Sequence, residues 1–215
     1  MNAYQMQERV RRIVDDDALV AGLCLDLLNQ GLLEVASLVN LPALDSWATL
    51  TIPAAASNAA LPDGFMRELH TIRDQARPDV PIAIVSSLKA LADEFGVIGH
   101  EKGPIEACCE EAGVLSFAPQ PVEETKLTVG YYREPAALAL AADVPSCIPS
   151  AFRVALLVNY AAWKCFELLE DGMSGETVMS ARYQGDYQQA VAALAAKFPD
   201  VSRKRVARVR RARWF

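Results

Sequence analysis

The fold class of this chain is decided by residues 17–38, DALVAGLCLDLLNQGLLEVASL. Apolar residues recur there at helical spacing, at Leu19, Val20, Leu23, Cys24, Leu27, Leu28, Leu32, Val35 and Leu38. This spacing predicts one long amphipathic helix that turns an apolar face toward a core. Asp15–Asp17 supply an N-cap and first-turn charge, Gly31 weakens the helix, and Pro42 ends it.

Helical patterns flank this segment at both ends of the chain. Residues 4–14 are amphipathic, and the stripe Phe152, Leu156, Tyr160 and Trp163 begins a helix that is apolar nearly all round. A helix of that kind is expected at the centre of a core. Gly172 and Gly175 break it, and a last helix ends at Pro199. We therefore expect helices within 4–40 and 150–198 to form a helical bundle core.

Between these helical regions, residues 47–135 have a β character. Strands are predicted at Trp47–Ile52 and Phe65–Arg73, a small-residue loop at Ala54–Ala60, and a short helix that Ser86 or Ser87 caps and that runs to Phe95. Three further runs, separated by turn residues, predict an antiparallel meander: Ile105–Cys109, Val114–Ala118 and Lys126–Tyr132. The expected fold class is α+β, a helical bundle core with an inserted antiparallel β-meander.

Composition and charge divide the chain into two unequal parts. The 215 residues are 52% hydrophobic, which excludes a mainly disordered protein. The net charge is −6, but seven of the 21 basic residues lie at or beyond position 203. The remaining 14 basic and all 27 acidic residues give residues 1–202 a charge of −13. We expect an acidic adaptor domain at 1–199 and a basic, extended tail at 200–215.

Targeting features and cysteines favour an intracellular protein without a membrane span. Met1–Val14 has no apolar signal core, and Ala151–Trp163 is shorter than the roughly 20 residues that a spanning helix needs. The five cysteines are odd in number and lack C-x-x-C spacing, so reduced thiols are expected. Cys108 and Cys109 fall in one strand, where adjacent side chains point to opposite faces, which disfavours a shared metal site.

Catalytic patterns are weak. His70 and His100 lie in different segments, and structural or exposed roles are expected for both. The chain has no G-x-S-x-G, Walker or G-x-G-x-x-G motif. Ser86 and Lys89 match S-x-x-K, but a helix cap explains Ser86 or Ser87 equally well. We predict no catalytic residue, no metal and no cofactor.

The strongest local signal is the C-terminal segment, which combines a dense cationic run with two terminal aromatic residues. These are Arg203, Lys204, Arg205, Arg208, Arg210, Arg211, Arg213, Trp214 and Phe215. Arginine suits bidentate contacts with carboxylates or phosphates, and arginine and tryptophan commonly anchor interfaces. The segment is therefore a candidate for binding an acidic protein surface. Nucleic-acid binding and a merely solvated tail are the alternatives.

Several stretches, taken in order, resemble the head–tail adaptor (head completion, connector) proteins of tailed bacteriophages. The helix from Asp17 to Asn29 is similar to the N-terminal helix of that family. The other stretches are Ala48–Ile52 followed by LPDGF at 61–65, LSFAPQP at 115–121, LTVGYYREP at 127–135, and IPSAF at 148–152 leading to Tyr160. The likeness covers roughly residues 5–198.

This resemblance implies a virion structural protein without enzymatic activity, assembled in the host cytoplasm and located in the neck between head and tail. Such proteins form a ring, commonly a dodecamer, beneath the portal protein. The ring extends the DNA channel and contacts tail or neck proteins. The resemblance implies that the arginine-rich C-terminal segment binds the portal or a neighbouring subunit. An acidic body would let genomic DNA pass without sequence-specific contact, because like charges repel. The alternative is a nucleic-acid-binding protein that uses its arginine-rich tail.

Overall fold

The structure, a computed structural model, describes residues 1–96, 99–170 and 178–199, with the backbone alone for 17–22. The described α-helices are α1 (Ala3–Val14), α2 (Asp17–Leu38), α3 (Leu88–Phe95), α4 (Asn159–Glu170) and α5 (Val178–Lys197). The described strands are β1 (Asp45–Ile52), β2 (Asn58–Ala60), β3 (Phe65–Asp74), β4 (Ala83–Val85), β5 (Ala107–Glu111), β6 (Val114–Ala118) and β7 (Thr125–Arg133). The expected α+β class is confirmed.

The helical core joins both ends of the chain, with α1 and α2 packed against α4. Asn2 and Gln5 form a capping box at the start of α1, and Met6, Val10 and Val14 are buried along one side, at helical spacing. A π-helical segment at Val154–Val158 leads directly into α4. The predicted break at Gly172 and Gly175 lies outside the described residues.

Gly31 has a packing role that its helix propensity does not reveal. A Cβ atom placed on Gly31 would lie 2.8 Å from Cδ1 and 2.9 Å from Cγ of Tyr160. The absence of a side chain at Gly31 therefore lets the Tyr160 ring of α4 lie directly against the α2 backbone. The glycine weakens α2 as an isolated helix but enables a close contact between α2 and α4.

The strands form two sheets, with orders β1-β7-β3 and β2-β6-β5-β4. The predicted meander is wrong in its third strand. β5 and β6 form the expected antiparallel hairpin, whereas β7 leaves them and lies between β1 and β3. β7 pairs with β1 over eight consecutive residues, from Asp45 opposite Tyr132 to Ile52 opposite Thr125. This long uninterrupted register explains why β7 pairs with β1 and not with β6. The predicted loop Ala54–Ala60 contains β2 at its end.

The β5–β6 hairpin separates the two adjacent cysteines, as the sequence predicts. Cys108 is buried between the two sheets, among residues such as Ile52 and Phe117, whereas Cys109 packs with Leu91 of α3. All five cysteines are buried free thiols. The opposite orientations follow from the twofold repeat of an extended strand, and they exclude a metal site shared by this pair.

Arg67 of β3 connects the β-rich region to the helical core. Its guanidinium donates to the backbone carbonyls of Ala36 at 3.0 Å and Val39 at 2.9 Å, at the C-terminal end of α2. The last turn of α2 contains no basic residue of its own. A cation at this position hydrogen-bonds carbonyls that lack a partner within the helix and interacts favourably with the helix dipole. Arg67 of β3 therefore caps the C-terminal end of α2.

We predict opposite effects of alanine at two helical glycines. Gly31→Ala forces a methyl group into the Tyr160 ring and should lower the free energy of unfolding by about 1–3 kcal/mol. Gly185→Ala in α5 meets open space and should raise it by about 0.5–1 kcal/mol. Chemical denaturation of both variants and wild type measures this. Equal effects at the two positions would contradict the packing role of Gly31.

Candidate assembly surfaces

A groove of about 300 Å³ lies between α2, α4 and α5. We call it the helix groove. Its lining is mainly apolar and aromatic and consists of Glu34, Leu38, Trp163, Tyr187, Gln188, Val191 and Ala192. Concave apolar sites with a few fixed polar groups are the usual form of binding sites. The groove is therefore a candidate surface for assembly.

A carboxylate and two aromatic rings, Trp163 and Tyr187, line the helix groove, and buried Tyr160 packs behind them. The hydroxyl of Tyr187 donates to Oε1 of half-buried Glu34 at 3.1 Å. The rings of Tyr160, Trp163 and Tyr187 contact one another with centroids 5.3–6.0 Å apart. Nζ of Lys164 lies 4.0 Å from the centroid of Trp163. The groove thus contains the Glu34 carboxylate and the Trp163 ring, against which the Lys164 ammonium group already packs.

The buried tyrosines feel both the apolar surroundings and the Glu34 charge. Burial first, and then Glu34, raise the pKa of Tyr160 from 10.0 to about 12. The same two causes raise the pKa of Tyr187 above its usual range. Both groups therefore remain protonated near neutral pH, and Tyr187 is held there as a hydrogen-bond donor to Glu34.

Leu38 lies differently from the sequence prediction. The spacing along α2 assigns Leu38 to the core face, but 58% of its surface is exposed at the helix groove. Glu34 was not singled out from the sequence at all. The available signal was its position: it lies four residues before Leu38, so both occupy one side of α2.

A second candidate surface is the acidic segment of residues 83–124. This segment contains eight acidic and two basic residues, so it supplies a charge of −6. Its acidic residues are Asp93, Glu94, Glu101, Glu106, Glu110, Glu111, Glu123 and Glu124. All except half-buried Glu110 are exposed. Nearly half of the −13 that the sequence assigns to residues 1–202 is thus concentrated in about a fifth of that length.

His70 has a structural environment, as the sequence predicts. Nε2 lies 3.1 Å from Oδ1 of Asp45, and the ring packs edge-on against Trp47 and Tyr132. A Cβ atom on Gly130 would lie within 3.1 Å of both His70 and Trp47, so the glycine makes room for this packing. His70 therefore stabilises the exposed face of the β1-β7-β3 sheet.

The other predicted chemical candidates show no assembled site. Oγ of Ser87 accepts a hydrogen bond from the backbone N–H of Ala90 at 3.1 Å and is the N-cap of α3. Ser86, Lys89 and His100 are exposed. Within the described residues, no group of three histidine, cysteine, aspartate or glutamate side chains is arranged to hold a metal ion. The capping explanation for Ser87 is confirmed.

The predicted partner-binding segment lies outside the described residues. This applies to Arg203, Lys204, Arg205, Arg208, Arg210, Arg211, Arg213, Trp214 and Phe215. The division into an adaptor domain at 1–199 and a tail at 200–215 likewise stays a prediction. In the described part of the chain, no helix has the length and apolar character needed to cross a membrane.

Comparison with known families identifies the chain. Residues 1–213 match the model of the SU10 adaptor protein family. The chain belongs to the SU10 adaptor protein family. The resemblance to phage head–tail adaptors is thereby confirmed, and the match extends past residue 198 through the arginine-rich segment. No curated protein matches the chain. This SU10 adaptor is a phage adaptor protein. Its family is a structural one, which favours a non-enzymatic role, and membership implies interaction with portal and tail proteins.

We predict that Glu34 controls the alkaline stability of this SU10 adaptor. A tyrosine whose pKa is raised on folding contributes stability that is complete below pH 10.0 and lost as pH rises through about 12. Glu34→Gln removes the charge but keeps an acceptor for Tyr187. It should move the tyrosinate absorbance titration to lower pH and lessen the alkaline loss of stability.

Asp26→Asn is the matched control, because Asp26 is an exposed carboxylate on the same helix. It should leave the tyrosine titration unchanged. A Glu34→Gln titration identical to wild type would show that burial alone sets the pKa of these tyrosines.

Proposed function

We propose that copies of this chain form a ring, a dodecamer, beneath the portal protein in the virion neck. The ring is assembled in the host cytoplasm. The ring extends the channel through which genomic DNA passes and joins the capsid to the tail or neck proteins. Membership of the SU10 adaptor family is the observation that carries the proposal. The surfaces of the adaptor domain support it.

A closed ring needs two different contact surfaces on each copy. The helix groove is one candidate. The other is the loop at 138–145, where Asp143 accepts backbone N–H groups of Ala139 at 2.8 Å and Leu140 at 2.7 Å. These hydrogen bonds lower the pKa of Asp143 and fix the backbone of the loop. In this loop, 69% of the Leu140 surface is exposed.

The loop and the helix groove lie on opposite sides of α2. The side-chain amide of Asn29 donates to the carbonyl of Leu138 at 3.0 Å and accepts its N–H at 2.8 Å, which anchors the loop. Asn29 and groove-lining Leu38 are nine residues apart, which at 3.6 residues per turn places them about half a turn apart around the axis. This arrangement suits heterologous contacts around a ring.

The acidic segment 83–124 supports passage of DNA through the ring. If the exposed carboxylates of residues 83–124 line the channel, they repel the phosphate backbone at short range. Genomic DNA then moves past without adhering to the protein and without sequence-specific contact.

We predict that electron microscopy of purified virions will show this adaptor as a ring directly below the portal. The outer diameter and symmetry of that ring give the copy number. A portal–tail junction whose density contains no copy of this chain would overturn the proposed function.

The alternative function, nucleic-acid binding by the tail, makes a separable prediction. Changing the six arginines of residues 203–213 to lysine keeps the positive charge but removes bidentate geometry. If the segment docks on the portal or on a neighbouring subunit, these substitutions should weaken cosedimentation of the adaptor with the portal. Non-specific DNA binding depends mainly on charge and should survive, with its steep salt dependence.

Deletion of residues 203–215 is the companion measurement. If the segment docks on the portal or on a neighbouring subunit, the deletion should weaken portal cosedimentation. If it removes duplex-DNA affinity and leaves portal binding intact, nucleic-acid binding is the function of the tail.

A further inference from the structure

The helix groove has the chemistry of a site for a guanidinium group flanked by small apolar side chains. Half-buried Glu34 supplies a carboxylate, which arginine binds with charge-assisted hydrogen bonds. Half-buried Trp163 adds aromatic surface to the groove, and the hydroxyl of buried Tyr187 holds the Glu34 carboxylate in place. Lys164 already lies over Trp163 but is paired with Glu167 at 2.7 Å, so its charge is balanced. Apart from Gln188, the remaining lining is apolar and consists of Leu38, Val191 and Ala192.

We propose that the helix groove binds the arginine-rich segment, residues 203–215, of a neighbouring copy in the ring. This inference rests on the proposed function, because it requires a ring in which each copy both presents a segment and accepts one. The segment then links adjacent copies in place of a direct contact between the helix groove and the loop at 138–145.

The sequence of the segment matches the groove in charge and in apolar content. Six of its seven cations are arginines, and Val206, Val209 and Ala212 are spaced between them. Trp214 and Phe215 add two aromatic anchors at the end. An arginine facing Glu34 places its apolar neighbours against the rest of the groove. The +7 of the segment also offsets part of the −13 that the sequence assigns to residues 1–202.

The length of the segment is sufficient to reach an adjacent copy. The last described residue is Pro199, two residues beyond α5, and 16 residues follow it. At about 3.3 Å per residue an extended segment spans about 50 Å. A compact domain of this size is about 40 Å across. An adjacent groove is therefore within range.

Site-directed disulfide cross-linking in the assembled complex tests the proposal. Chains carrying Gln188→Cys in the groove are mixed with chains carrying Arg210→Cys, and the adaptor–portal complex is isolated by sedimentation before mild oxidation. Gln188 is exposed and lines the groove, whereas the native thiols are buried. With the two cysteines on separate chains, a cross-linked dimer reports an inter-copy contact. Val122→Cys, at an exposed turn away from the groove, replaces Gln188→Cys in the control.

We expect a dimer yield about tenfold above the Val122→Cys control, and a reduction of similar size when Glu34→Gln is added to the groove chain. Equal yields at positions 188 and 122 would overturn the proposal. A second experiment places both cysteines on the same chain. If the cross-links there form only within single chains, the segment occupies the groove of its own chain, and the proposal is overturned. If no adaptor–portal complex forms, the proposed function fails first. A complex that forms without inter-copy cross-links defeats this inference alone.

Discussion

The close approach of the Tyr160 ring to the Gly31 backbone is the contact on which the rest of the helical core depends. It fixes the separation of α2 and α4, because no side chain stands between them. Tyr160 also contacts Trp163 and Tyr187, so the same contact sets the position of the aromatic cluster beside α5. The helix groove is therefore a consequence of core packing, and a change at Gly31 should be felt both in stability and at this candidate surface.

The helices were predictable because their periodicity is local, whereas the sheet order was not. The repeat along α2 and the capping serine before α3 depend on neighbouring residues alone. Strand pairing depends on partners that are distant in sequence: β7 pairs with β1 about 80 positions earlier, although β6 is closer in sequence. A run of apolar residues predicts that a strand exists, but its partner is chosen by the register and length of all competing strands. The predicted meander failed for that reason.

The candidate site was predictable in composition but not in geometry. The arginine-rich segment is visible as charge in the sequence, while its proposed receptor is assembled from α2, α4 and α5. Leu38 illustrates the difference, since its spacing marks it as a core residue and the end of α2 leaves it exposed. The spacing of Glu34 from Leu38 places both on one side of α2, but the sequence does not show that this side lines a groove. Glu34 becomes distinctive when folding brings Tyr187 within 3.1 Å of its carboxylate.

The charge separation along the chain has a physical reason if assembly is the function. A single arginine-rich segment binding a half-buried carboxylate gains little, because ordering the segment costs conformational entropy. Within a ring, every segment is held near its receptor, so the effective concentration is high and each contact reinforces the others. Weak individual binding is then an advantage, because isolated copies do not link prematurely and the ring is stabilised once neighbours are in place. If the acidic segment 83–124 lines the proposed channel, its requirement is the opposite one, because it has to avoid adhesion to DNA. Both requirements are met only if the two charges are kept on separate parts of the chain.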